Sequence, residues 1–181
     1  PTYRGKTIEE WFSSPDWTER KSYVELVIIT EFGDRSVPVL KEILLRKGAK
    51  QEFAVLQNVP MARKLYRSRL TRAQLKERVI ASLGSLEMIG LACYPGVLAV
   101  AQNENEPAQT RQLAVRHFQR HGGGSVKDAL RRLQNDPAVA TDATRALHSI
   151  QQREQQQKEA NEHHQIVREM DTRHGNSDGP L

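Results

Sequence analysis

Cysteine is nearly missing from this 181-residue chain. Cys93 stands alone, which excludes a disulfide framework and any four-cysteine metal site. Aromatic residues are scarce as well, at 6% of the total, so the core must come mainly from aliphatic side chains. No run of 18 apolar residues occurs, and none of the segments has the makings of a membrane-spanning helix. Alternating apolar and polar residues are also missing. Every apolar segment longer than a turn keeps a helical rhythm, which predicts that strands are essentially absent. No glycine-rich phosphate loop follows a strand, since Gly122-Gly123-Gly124 joins two helical patterns. A Gly-x-Ser-x-Gly nucleophile elbow is absent too.

What is present is a modestly basic, helix-forming composition. Charged residues make up 27%, hydrophobic residues 38%, and the net charge is +5 with a pI near 9.5. That apolar fraction is lean for a thick core and suits a thin two-layer stack of helices. A charge surplus of this size permits binding to nucleic acid or to an acidic protein, and equally suits a purely solubilising role.

The strongest signal is a pattern that recurs without being copied. Phe32-Gly33 followed by Pro38-Val39-Leu40 matches Ile89-Gly90 followed by Pro95-Gly96-Val97 at one fixed offset. Upstream, Lys21, Tyr23, Val24, Leu26 and Ile29 fall on Arg78, Ile80, Ala81, Leu83 and Leu86. This places helix ends at Gly33 and Gly90, new helices at Pro38 and Pro95, and Cys93 at a junction, where a buried small hydrophobe is the favoured reading over a reactive thiol. Two later units open with Glu106-Pro107-Ala108 and Asp136-Pro137-Ala138. Helix pairs of about 30 to 45 residues that cannot bury their apolar faces alone indicate an α-solenoid.

Over residues 15–150 these units resemble HEAT repeats. Arg78, Ala81, Leu83, Leu86 and Gly90 carry the likeness in one unit, and Pro107, Arg111, Ala114 and Gly122 in the next. The last unit departs from it, with Thr141 near the position that Arg111 holds before it. The opening Tyr3-Arg4-Gly5-Lys6-Thr7-Ile8-Glu9-Glu10-Trp11 is similar to a lead-in that precedes HEAT repeats in some bacterial, often exported, proteins. The resemblance implies a curved surface that binds another macromolecule, with enzymes a minority of relatives. It is compatible with a soluble protein of the bacterial cytoplasm, or with an exported or periplasmic one if a signal peptide preceded Pro1.

The expected architecture is therefore all-α, a short α-solenoid of about four HEAT-like helix pairs. Residues 1–14 form an N-terminal cap, in which Thr7 and Glu10 make a capping box ahead of Ile8, Trp11 and Phe12. Residues 15–150 form the repeat domain. Its first helix is capped by Ser14, begins at Pro15 and runs to Glu31 or Phe32, and its nearly continuous apolar run Val24, Leu26, Val27, Ile28, Ile29 suggests burial on more than one side. Ser125 caps a later helix with Val126, Ala129, Leu130 and Leu133 inward, and Pro137 begins the final one. Residues 151–174 are a polar, glutamine-rich helical extension, and 175–181 a tail.

Residues 49–72 interrupt the repeats. Between residues 63 and 78 run Arg63, Lys64, Arg67, Arg69, Arg72, Lys76 and Arg78 against one acid, Glu77. Arg63, Lys64, Arg67, Arg69, Arg72 and Lys76 are the candidate partner-binding residues, joined by the small apolar group Ile166, Val167 and Met170 in the extension. Such cations fit an acidic protein or multi-subunit partner through steering and carboxylate contacts, or nucleic acid through phosphates. No nucleic-acid motif favours the second.

Catalytic chemistry finds little support. Glu9, Glu10 and Asp16 lie near Trp11 and Trp17, but helix capping explains them. His117 and His121 are four apart on one helix, while a metal site needs a third ligand and an outer shell. No catalytic or metal residue, cofactor or small-molecule substrate is expected. The functional expectation is a non-catalytic interaction or scaffold subunit. Its rivals are a nucleic-acid-binding adaptor and, behind it, a HEAT-like lyase or glycosylase.

Overall fold

The computed structural model describes residues 2–46 and 70–175, with side chains at 2–46, 70–86 and 88–166. The described residues are all-α apart from one small hairpin, β1 (Thr2–Tyr3) and β2 (Lys6–Thr7), in which Thr2 faces Thr7 and Tyr3 faces Lys6. Its turn, Arg4-Gly5, has φ of 50° and 72°, the twist that a two-residue hairpin favours.

Thr7 then starts α1 (Ile8–Phe12) through the expected capping box: its hydroxyl accepts from the Glu10 N–H at 3.2 Å, and the Glu10 carboxylate accepts from the Thr7 N–H at 2.7 Å. Those bonds from Thr7, backbone first, hold the Glu10 carboxyl below its ordinary range. Ile8, Trp11 and Phe12 are buried. The Arg78 guanidinium donates to the carbonyls of Phe12 (2.7 Å) and Ser14 (2.8 Å), which ties the end of this cap to the body.

Next come α2 (Trp17–Val27), a π-helical turn (Ile28–Phe32), a 3-10 turn (Gly33–Arg35) and α3 (Ser36–Leu45). After the insertion follow α4 (Arg72–Leu83), α5 (Glu87–Gln102), α6 (Ala108–His121), a 3-10 turn (Gly124–Val126), α7 (Lys127–Leu133) and α8 (Ala140–Gly175). Each helix packs on the next or the next but one: α3 on α5, α4 on α6, α6 on α8, with α3 against α4, α5 against α6 and α7 against α8. One apolar cluster runs through these layers from Ile8 to Ile150.

Several expected boundaries are corrected. The helix expected to end at Gly90 ends at Leu83, and the turn falls at Gly84-Ser85. Gly90, Cys93 and Pro95 all lie inside α5. Gly90 is there for closeness, since a Cβ would run into the Leu83 carbonyl. Pro95 removes one helical hydrogen bond without ending the helix.

In α2 the Ser14 carbonyl, rather than its hydroxyl, accepts from the Trp17 N–H at 3.1 Å, so the helix starts two residues after Pro15. Leu26 and Ile29 face solvent although Val24, Val27 and Ile28 are buried. Burial is therefore on one side, and the π turn, where Thr30 Oγ1 donates to the Leu26 carbonyl, shifts the helical register before Gly33 turns the chain at φ 49°. Ser125 sits inside the 3-10 turn and caps nothing, while α8 begins at Ala140 after Asp136 Oδ1 accepts the Ala138 N–H at 2.9 Å.

Candidate interaction site

The basic segment divides on inspection. Arg63, Lys64, Arg67 and Arg69 lie outside the described residues. Arg72 is exposed at the first position of α4. Lys76 is not a surface cation: it is 1% exposed, and its Nζ donates to Glu106 Oε1 at 2.5 Å and to the Arg46 carbonyl at 2.6 Å. A charge this deep is tolerated only when paired and hydrogen-bonded, so Lys76 leaves the set of candidate partner-binding residues.

Its role recurs in α6. Arg111, also buried, donates through Nε to the Ala101 carbonyl at 3.0 Å and through Nη2 to Asp136 Oδ2. In both places a cation early in a helix (α4, α6) reaches the C-terminal end of an earlier helix (α3, α5) and the acid of a later acid-proline pair (Glu106-Pro107, Asp136-Pro137). Two orphan carbonyl ends are thus satisfied, and three segments are held at one node each time. The signal lay in the sequence as an acid-proline pair 30 residues after Lys76 and 25 after Arg111.

The last helix is fixed by a different clamp. Arg153 donates to the carbonyls of Gln119 (2.7 Å), Arg120 (3.0 Å) and Gly122 (2.8 Å), the open end of α6. Lys127 pairs with Glu154 beside it. Residues 154–166 of α8 are exposed, Ile166 among them, and Val167 and Met170 continue the same helix.

Apolar side chains in water mark two further surfaces. Tyr23 and Leu26 of α2 and Ile29 of the π turn that follows are exposed, and Met88 and Leu91 stand one turn apart on α5, 72% and 50% exposed. Beneath Met88 and Leu91 opens a cavity of about 300 Å³, lined also by Leu83, Gly84, Gly90, Tyr94, His117 and His121.

Its inner wall is a nest of rings. Tyr94 stands edge-on to His117 and Phe118, with centroids 5.7 and 5.5 Å away, and His117 and His121 are tilted against each other at 5.0 Å. The Tyr94 hydroxyl donates to the His121 carbonyl. Burial, and then the neighbouring His121, push the His117 imidazole down to about 4, so it is neutral at physiological pH. Its Nε2 is buried without a hydrogen-bond partner.

The remaining candidates are engaged or inert. Glu9 makes a two-point contact with Arg46 at 2.7 Å each, which raises the guanidinium's affinity for its proton. Cys93 is buried, and desolvation raises its thiol to about 11. No group of three metal-capable side chains comes together among the described residues. No helix among them is long and apolar enough to cross a membrane.

The geometry defines an all-α protein of layered helices with buried cationic nodes. Searches against protein-family models, curated proteins and solved structures return no match to this chain.

Proposed function

We propose that this protein is a non-catalytic interaction subunit, built as a short HEAT-like α-solenoid, that holds a protein partner. The repeated cation nodes at Lys76 and Arg111 support the solenoid reading, because the same three-way link at successive units is what a stack of similar repeats requires. The observation that carries the binding reading is the set of apolar side chains left in water at helical spacing, Leu26 at the end of α2 with Ile29 in the π turn after it, and Met88 with Leu91 on α5. Such rows, beside polar surroundings, are contact surfaces for another macromolecule. The basic residues Arg63, Lys64, Arg67, Arg69 and Arg72 add steering toward an acidic partner.

Nucleic acid is the weaker reading, since apolar rows contribute nothing to phosphate binding. A lyase or glycosylase reading would need carboxylates converging on a cleft. Here Glu9, Glu106, Asp136 and Asp142 are each taken by a cation, Arg46, Lys76, Arg111 and Arg116.

The test is isolation of the protein from its native source after mild crosslinking, with nuclease treatment in a parallel sample. Protein companions that survive nuclease and are lost from a Leu26→Glu, Met88→Glu variant support the reading. Companions released wholly by nuclease, or an unchanged set with the variant, overturn it.

A further inference from the structure

We infer that the cavity between α4, α5 and α6 takes the phenol side chain of a tyrosine presented by a protein partner. This rests on the reading of the chain as a protein-binding subunit and adds the chemistry of one contact. Three observations on different atoms converge on it.

The first is space. The cavity of about 300 Å³ is lined by Gly84 and Gly90, where no side chain has room: a Cβ at Gly84 would meet the His121 ring, and one at Gly90 would meet the Leu83 carbonyl. The second is the character of the wall. Tyr94, His117 and His121 line it as edge-on and tilted rings, with Phe118 packed against Tyr94 and His117 behind them, surroundings in which a further ring gains beyond simple burial.

The third is the unspent polar atom. His117 is 7% exposed and its Nε2 has no partner, a state that is unfavourable for a buried nitrogen unless a ligand completes it. A neutral imidazole carries one proton on one of two nitrogens, so Nε2 either donates or accepts. A phenol hydroxyl does both and satisfies either tautomer. An indole N–H only donates, and a phenyl ring does neither.

The rim argues for a side chain on a protein rather than a free phenol. Met88 and Leu91 flank the cavity at 72% and 50% exposure. A lone phenol in the cavity would leave them in water, whereas the backbone and neighbours of an anchoring residue would cover them. Nε2 is closed off as the side chains stand, so the ligand must displace a neighbour in the lining. The exposed His121, its ring against Gly84 and tilted on His117 at 5.0 Å, is the one in this proposal that gives way, while Tyr94 holds the His121 backbone.

The experiment titrates the full-length protein with N-acetyl-tyrosinamide, N-acetyl-phenylalaninamide, N-acetyl-tryptophanamide and p-cresol. It follows the Met88 methyl and the His117 and His121 ring protons by NMR. The tyrosine amide is expected to saturate with a Kd in the low-millimolar range, about right for one side chain, and to bind about fivefold tighter than the phenylalanine amide, the worth of one hydrogen bond. His117→Phe should bring that ratio to about one, and Met88→Glu should weaken both amides.

Absence of a saturable shift with the tyrosine amide up to about 20 mM, equal binding of the two amides, or an unchanged ratio in His117→Phe overturns the proposal. A tighter tryptophan amide overturns the choice of phenol, and p-cresol binding as tightly as the amide overturns the choice of a protein source. Should His117→Phe not fold, Met88→Glu and the wild-type ratio still decide. Failure here leaves the interaction-subunit reading intact, because capture of native companions and their survival of nuclease are measured with no amide ligand present.

Discussion

Replacing Lys76 by Met asks whether a residue that looks like one more surface cation is a structural node. Met keeps the unbranched stem and removes only the ammonium. In the folded protein that ammonium neutralises Glu106, 0% exposed, and satisfies the Arg46 carbonyl at the end of α3. Without it, Glu106 would hold a charge whose Oε2 already lacks a partner, with only Asn103 Nδ2 left near Oε1 at 3.4 Å. Removing one partner of a buried ion pair costs about 3–5 kcal/mol. With an m-value of about 2 kcal/mol/M, the urea midpoint should fall by about 2 M. An exposed cation would shift stability by less than about 0.5 kcal/mol. The companion variant Lys76→Met, Glu106→Leu removes both charges and should recover at least half of the loss, with a coupling energy above about 2 kcal/mol. The assay is equilibrium urea unfolding of the wild type, both single variants and the double variant. A loss below about 1 kcal/mol in Lys76→Met, or a double variant that equals the sum of the singles, refutes the node.

The remaining predictions concern other parts of the stack. His117, held down to about 4 against an ordinary value of 6.5, binds fewer protons folded than unfolded, so its contribution is complete above pH 6.5 and is lost as pH falls toward 4. Between pH 7 and 5 this amounts to about 2 kcal/mol. His117→Gln should flatten the pH dependence by that amount in urea melts, and equal slopes would contradict it. Leu83→Ala and Leu130→Ala, both at buried sites, should each lose about 2–5 kcal/mol. A loss under about 1 kcal/mol at both would contradict their burial. Arg153→Ala should lose about 1.5–3 kcal/mol and speed amide exchange in the last turn of α6; unchanged exchange there would remove the clamp from the account.

Local rules were legible in the sequence wherever one residue type answers one backbone need. Thr7 with Glu10 named its capping box, Gly122 named the end of α6, and the stripe at Leu130 and Leu133 named an inward face. Where a residue has two uses, the reading slipped. Gly90 could end a helix or admit a close neighbour, and the Leu83 carbonyl decided for the second. Lys76 sat among cations that share a sign but not a depth, and only its link to Glu106 separates it from them. The same run of apolar residues in α2 fits burial on one side or two, and neighbours from distant sequence decide. The cavity was illegible for a further reason. It is assembled from three helices, and its key property, a nitrogen lacking a partner, belongs to no motif.

The continuous α8 has a mechanical consequence. About 22 residues extend past Arg153 at 1.5 Å each, a rod of about 33 Å hinged on one guanidinium. A tilt of about 10° at that fulcrum sweeps the far tip through about 6 Å, which is more than the width of a side chain. Whatever loosens three carbonyl bonds at the end of α6 is therefore magnified into a displacement large enough for a partner at the tip to sense. The extension is a pointer whose bearing is set at its base.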